Sequence, residues 1–300
     1  MKHLLKMSDL SAKEISGILN LADQLKYDKK HGIPHTYLQG KTLGMIFQKA
    51  STRTGVSFEV GMYQLGGSAL FLSSHDLQIG RGEPVEDTAR VLSRYLDAIM
   101  IRTFKQQEVE DLAKYGSIPI INGLTDYAHP CQVLADLMTI RERKGSLEGL
   151  KFCYVGDGNN MANSLIVGCL TMGMKVAIAC PKGFEPAQDV LDFAVGYGEK
   201  FHLTNNVYEA ADEADVVYTD VWASMGQESE AITRRKAFAG YQVNEDVMKV
   251  AAHDAMVLHC LPAHRGEEIT AEVIEKHGEI YDQAENRLHA QKAVLVTLMK

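Results

Sequence analysis

Thr42-Leu43-Gly44-Met45-Ile46-Phe47-Gln48-Lys49-Ala50-Ser51-Thr52-Arg53-Thr54 is the stretch that decides how this chain folds. Residues 42–47 are a short apolar run, the pattern of a buried strand. Beyond the run, Val56, Phe58, Val60, Met62 and Leu65 form a helical pattern. A strand that enters a helix through hydroxyls and one guanidinium is a built anion site. The first backbone N–H groups of a helix lack intrahelical partners and carry the positive end of its dipole. Ser51, Thr52 and Thr54 add hydroxyl donors, and Arg53 adds a planar, two-pronged cation suited to phosphate. The same hydroxyls also serve as an ordinary helix cap, so the rest of the chain has to decide between the two.

Strand-like runs recur at 69–72, 98–101, 118–121, 152–155, 176–179, 216–218 and 255–258. Amphipathic helical stretches separate them, among them 85–96, 133–143, 160–172 and 190–197. That alternation predicts α/β architecture with mostly parallel, buried sheets. Two sets of such units are present. Between them lie a helix at 130–143 and the polar turn Lys144-Gly145-Ser146-Leu147-Glu148-Gly149, which places a domain boundary between residues 144 and 145. Residues 282–299 read as one long helix that either closes the second domain or crosses back to the first.

A chain of 300 residues is long enough for two domains of ordinary size. A formal charge of −8, with no dense Lys/Arg patch, argues against a nucleic-acid partner. Local arginines can still dominate a site for a small anion. The five cysteines are odd in number, and Cys153, Cys169 and Cys180 lie in apolar runs. That suits buried thiols in a reducing compartment. No Cys-x-x-Cys or paired-histidine spacing calls for a metal. The first nine residues are too broken by charge for a signal peptide, and no apolar run nears the ~20 residues that cross a membrane. A cytoplasmic protein is expected.

In open α/β sheets ligands bind beyond the carboxyl ends of the strands, so the polar residues that follow each strand are the candidates. Arg102 ends the run Ala98-Ile99-Met100-Ile101, where it either faces a ligand or is simply solvated. His129-Pro130-Cys131-Gln132 opens a helix, with Pro130 suited to the first helical position. His129 then sits at the helix mouth and Gln132 one turn on, able to polarise a carbonyl and hold an amide. Gly156-Asp157-Gly158-Asn159-Asn160 resembles a dinucleotide-binding turn, but the next strand ends Ala179-Cys180-Pro181-Lys182 without the acidic residue that ribose requires. A tight turn that presents Asn159 or Asn160 to a polar substrate explains it as well. Asp220-Val221-Trp222-Ala223-Ser224-Met225-Gly226 offers a carboxylate and a hydroxyl four residues apart, a pair able to grip an ammonium group. His259-Cys260-Leu261-Pro262 places a thiol beside a histidine at a strand end, before a bond that can be cis.

Taken in order, these segments resemble the ornithine carbamoyltransferases, over essentially the full chain. The resemblance implies two doubly wound domains, one for carbamoyl phosphate (residues 1–144) and one for ornithine (145–281), with the final helix (282–300) returning to the first. It implies that Ser51, Thr52, Arg53 and Thr54 hold the phosphate, with Arg102 beside it and Arg287 completing the site. Arg102 and His129 would polarise the carbamoyl carbonyl, and Gln132 would contact the same group. The backbone carbonyls of Cys260 and Leu261 would accept from its NH2. Asn160, Asp220, Ser224 and Met225 would bind the amino-acid end of ornithine, and Asp220 and Cys260 would orient its amine. Gln78 would reach a neighbouring subunit's site in a homotrimer, or in an assembly of trimers. The δ-amine would attack the carbamoyl carbon through a tetrahedral intermediate stabilised by Arg53, Arg102 and His129, giving citrulline and phosphate. No cofactor, metal, nucleic acid or membrane is implied.

Gly55 departs from the family pattern, which usually carries a second arginine there. Its consequence is a weaker phosphate site, a weaker helix, or both, and Glu86 or Asp87 is the carboxylate that loses a partner. Three alternatives stand beside the resemblance. One is a carbamoyltransferase for another amine, and one is an NAD-dependent dehydrogenase on the Gly156–Asn160 turn. The third is an impaired or non-catalytic protein that keeps the fold for binding or assembly.

Overall fold

The computed structural model describes residues 1–74, 77, 82–223 and 228–300. The chain divides into two compact units, residues 1–138 with 285–300, and residues 139–284.

The first unit is built on β1 (Thr42–Phe47), β2 (Ser68–Ser73), β3 (Ala98–Arg102) and β4 (Ile120–Leu124), in the order β2-β1-β3-β4. All three pairings are parallel. Its helices are α1 (Ala12–Lys30), α2 (Thr52–Gln64), α3 (Val85–Leu92), α4 (Gln106–Tyr115) and the start of α5 (Pro130–Lys144). From β1 the chain moves outward to β2, then returns past β1 to β3. The carboxyl ends of β1 and β3 therefore form a topological switch point, where an open sheet parts to admit a ligand. Register holds these ends level, because Phe47 lies opposite Arg102, and the Gln48 N–H donates to the Arg102 carbonyl at 2.9 Å.

Two sequence expectations shift here. The fourth strand runs over 120–124, not 118–121, and carries the polar Asn122 at its centre. Asn122 is tolerated because its backbone N–H and side-chain amide donate to the carbonyls of Leu4 and Leu5, at 2.7 and 2.8 Å. Of the apolar pattern in α2, Phe58, Met62 and the following Leu65 face the core, whereas Val56 and Val60 lie on the outer face.

The second unit carries β5 (Lys151–Val155), β6 (Lys175–Ala179), β7 (Phe201–Thr204), β8 (Val216–Thr219) and β9 (Met256–His259), ordered β7-β6-β5-β8-β9 and all parallel. Its helices are α6 (Asn160–Thr171), α7 (Gln188–Val195), α8 (Val207–Ala211), α9 (Ala231–Ala237), α10 (Glu245–Val250) and α11 (Ala271–Lys276). Alternate strand residues Cys153, Val155, Val217 and Val257 pack with Ile269 and Val273 as one core cluster. Each such buried aliphatic side chain is worth about 1.5–3 kcal/mol of transfer free energy. The switch point falls between β5 and β8, and Val155, Thr219 and His259 lie level across the sheet. The residues that follow them, Gly156, Asp220 and Cys260, thus leave the sheet at one height. Strand β7 escaped the sequence pattern, since this four-residue edge strand is only partly buried and has a histidine in its middle.

The last helix, α12 (Glu279–Met299), belongs to the first unit from Glu285 onward. Lys292 is fully buried there and donates to His35 Nε2 (2.9 Å) and Gln64 Oε1 (3.0 Å). Gly61 of α2 permits the approach, because a Cβ at that position would stand 3.3 Å from Lys292 Cγ. Burial pushes the Lys292 ammonium down to about 8, with Lys29 adding to the effect.

Candidate active site

In the first unit, Ser51 caps α2 from an extended backbone. Its Oγ accepts from the Thr54 N–H at 3.3 Å and donates to Thr54 Oγ1 at 3.0 Å. Thr52 and Arg53 precede the first intrahelical bond, from Gly55 N–H to the Ser51 carbonyl. The cap bond engages the Thr54 amide. Behind the turn, Lys49 is buried, forms an ion pair with Asp126, and stands over the Phe104 ring at 4.3 Å. Asp126 opens the segment that ends at His129. One lysine therefore ties the phosphate-type turn to the histidine.

His129 is buried immediately before α5. Burial, then Arg287, Arg102 and Arg53, holds its imidazole well below the usual histidine range. The ring is neutral at physiological pH and can donate through one nitrogen. Gln132, one turn on, donates Nε2 to Asp136 Oδ1 at 2.7 Å and accepts from Arg287 Nη1 at 2.6 Å. Arg102, Gln132 and Arg287 are all buried. The structure thus gathers Arg53, Arg102, His129, Gln132 and Arg287 at one end of the first unit's sheet.

In the second unit Asp220 is the hub. Its Oδ2 accepts from Asn159 Nδ2 at 2.9 Å, and its Oδ1 accepts from the Val221 N–H at 2.8 Å and the Cys260 thiol at 3.0 Å. Asn159 also caps α6, accepting from Met161 and Ala162 N–H through Oδ1, so its amide orientation is fixed from both sides. Asn160 begins α6 and is buried beside it. The glycines of this turn serve packing. A Cβ at Gly158 would stand 2.2 Å from the Glu185 carbonyl carbon, and Gly156 has φ 144°.

After β9, His259 Nδ1 accepts from the Leu261 N–H at 2.8 Å, which puts the ring proton on Nε2 and directs it to Glu268 at 3.1 Å. Leu261 has φ 57° and its bond to Pro262 is cis. Nearby, Arg234 Nη1 donates to Asp157 Oδ2 (2.7 Å) and to the Trp222 carbonyl (3.1 Å). Burial, reinforced by Asp220 and opposed by Arg234, raises the Asp157 carboxyl to about 6.

Asp136, Arg234, Glu268 and Lys49 were not among the sequence candidates. Asp136 carried a readable signal, four residues after Gln132 on the same helix face. Arg234 had none, because 77 residues separate it from Asp157. Among the described residues, two groups of side chains bring three metal-type donors within 4.8 Å of one another, Asp220 with His259 and Cys260, and His264 with Glu267 and Glu268. The first is already a hydrogen-bonded network, with both His259 nitrogens engaged. Gln78, Ser224, Met225 and Gly226 lie outside the described residues.

Comparison with known proteins bears on this geometry directly. Residues 2–142 match the profile of the aspartate/ornithine carbamoyltransferase carbamoyl-P binding domain, and residues 148–298 match that of the Asp/Orn binding domain. The chain belongs to this carbamoyltransferase family. It is 58% identical to ornithine carbamoyltransferase from Anoxybacillus flavithermus, over 99% of this chain and 96% of that one. The solved ornithine carbamoyltransferase from Pyrococcus furiosus superposes with a TM-score of 0.95 at 55% identity, covering 99% and 97% of the two chains. The anabolic enzyme from Campylobacter jejuni gives 0.94 at 43%, covering 99% of each.

Against the carbamoyltransferase pattern, Gly55 leaves open space. A Cβ there would meet only Phe47 Cζ, at 3.9 Å. Both carboxylates named as losing a partner have cations near them. Asp87 pairs with Arg90 at 3.3 Å, and Glu86 helps raise the Lys114 ammonium.

Proposed function

We propose that the chain transfers the carbamoyl group of carbamoyl phosphate to the δ-amine of L-ornithine, giving L-citrulline and phosphate. The observation that carries this is a neutral, buried imidazole, His129, under the charge of Arg53, Arg102 and Arg287, in the unit that matches a carbamoyl-P binding domain. Full-length relatives at 54–58% identity, all named ornithine carbamoyltransferase, support the acceptor.

Ser51, Thr52, Arg53 and Thr54 hold the phosphate at the start of α2, where unpaired N–H groups and the helix dipole favour an anion. Arg102 and neutral His129 donate to the carbamoyl oxygen, and Arg287 completes the site. Attack by the amine puts negative charge on that oxygen, and fixed cations and donors stabilise it without reorganising. A neutral His129 suits this, because it donates a hydrogen bond without repelling the guanidiniums. Asn160, Asp220, Ser224 and Met225 receive the α-amino and α-carboxylate groups of ornithine. Cys260 and Asp220 orient the amine, and the carbonyls of Cys260 and Leu261 accept from the carbamoyl NH2. Much of the acceleration comes from holding two substrates in line.

A homotrimer, with Gln78 reaching a neighbour's site, is supported by an apolar face. Val56, Val60 and Tyr63 of α2 and Leu70 and Phe71 of the edge strand β2 are exposed, Tyr63 by 81% and Phe71 by 61%. Five free thiols support a cytoplasmic setting. The test is product formation from carbamoyl phosphate with ornithine, putrescine or aspartate. Turnover with ornithine alone is expected. Absence of turnover with all three acceptors, in both the natural chain and Gly55→Arg, would overturn the ornithine reading and favour the non-catalytic alternative.

A further inference from the structure

Gln132 has a side-chain amide whose two ends are nearly the same shape, so sterics alone do not fix which end faces a ligand. Two buried neighbours fix it. Asp136 is 0% exposed, and its carboxylate offers only acceptors, so it selects the NH2 end, at 2.7 Å. Arg287 offers only donors and selects the oxygen, at 2.6 Å. Both choose the same orientation. An aspartate in a helix interior is a poor helix former, and a buried one needs a strong partner. Its cost is understandable if the orientation of Gln132 matters.

We propose that Asp136 is a positioning residue that sets substrate specificity, by fixing Gln132 with its oxygen toward Arg287 and the carbamoyl NH2. The inference rests on the reading that this unit holds carbamoyl phosphate. Acetyl phosphate has nearly the same shape but carries a methyl group where carbamoyl phosphate carries NH2. With Gln132 held oxygen-first, the NH2 finds an acceptor, whereas the methyl leaves the second lone pair of that buried oxygen unmatched. Sites that hydrogen-bond a substrate group reject analogues lacking it far more strongly than apolar pockets do. Were Gln132 reversed, donor would face donor and the preference would vanish.

The test uses the full chain with Asp136→Asn, Gln132→Glu and the double variant. Three quantities are read: KM for carbamoyl phosphate, the inhibition constant of acetyl phosphate against it, and KM for ornithine. Shifts of melting temperature by each acyl phosphate serve where turnover is too slow. Asp136→Asn, which can donate or accept, should shrink the preference for carbamoyl over acetyl phosphate by about tenfold or more and leave KM for ornithine unchanged. Gln132→Glu sets two carboxylates against each other and should lose carbamoyl phosphate binding. The double variant should regain it. There the amide introduced at position 136 can donate to the carboxylate introduced at position 132, which still accepts from Arg287 and from the NH2. A preference unchanged in Asp136→Asn overturns the proposal. So does a double variant that folds yet binds no better than Gln132→Glu. A natural chain that binds neither acyl phosphate removes the proposed function itself, and this inference with it.

Discussion

The Cys260 thiol donates to Asp220 Oδ1 at 3.0 Å, joining the ends of two neighbouring strands through one proton. Through this hydrogen bond Cys260 orients Asp220. Serine retains an O–H donor at that place and alanine does not. Cys260→Ser is therefore expected to keep more activity than Cys260→Ala, with the alanine variant down about tenfold or more, the scale of one lost positioned polar contact. Steady-state assays with ornithine decide it, and equal rates for natural chain and alanine variant would remove the thiol from the mechanism.

Gly55 weakens the first turn of α2. A Cβ there meets only ordinary contact with Phe47, at 3.9 Å, so a side chain can leave the helix at this position. Replacing glycine by a good helix former inside a helix is worth up to ~1 kcal/mol. Gly55→Arg should raise the melting temperature, and the added cation should lower KM for carbamoyl phosphate. Unchanged values for both would show that the glycine is fully compensated.

His289 gives the chain a pH-dependent stability. Burial, with Lys292 and Lys26 adding, lowers its imidazole to about 3. The unfolded chain then holds the extra proton between about pH 3 and 6.5, so this contribution is full above 6.5 and is lost as pH falls through that window. Across the 1.5 units from 6.5 to 5, the loss is about 2 kcal/mol. Melting curves at pH 7.5 and 5.0 should differ less for His289→Gln than for the natural chain. An equal difference would mean that other groups carry the slope, His129 foremost.

Tyr63→Glu places charge on the exposed outer face of α2, and Phe71→Glu places it on the exposed edge strand β2, where it also removes the stacking of Phe71 on the buried Phe47 at 4.8 Å. A lighter particle by light scattering, with secondary structure intact, is the expected outcome. A mass unchanged from the natural chain would show that copies meet elsewhere.

Much of this was legible in the sequence, for identifiable reasons. Thr42–Phe47 reads as a strand because a parallel strand covered on both faces is apolar throughout. Ser51, Arg102, His129, Asp220 and Cys260 were findable because each ends or follows a strand, where parallel sheets present ligands. Strand β7 was not, since an edge strand needs no continuous apolar run. Arg234 and Glu268 were hidden because their worth lies in partners that only folding brings near. Asn159 was weighed with Asn160 as a substrate contact, and its cap on α6 and bond to Asp220 became visible only with the β5–β8 switch point in place.

The discontinuity of the first unit has a consequence for how the protein is made. Gln132 waits for Arg287, and ribosomes emit Arg287 only after every residue of the second unit. A nascent chain can finish its second sheet while Gln132 still lacks the guanidinium that donates to it. Any message cut short before codon 287 yields a polypeptide without that bond, so under the function proposed above translation to the last helix is itself a condition for activity.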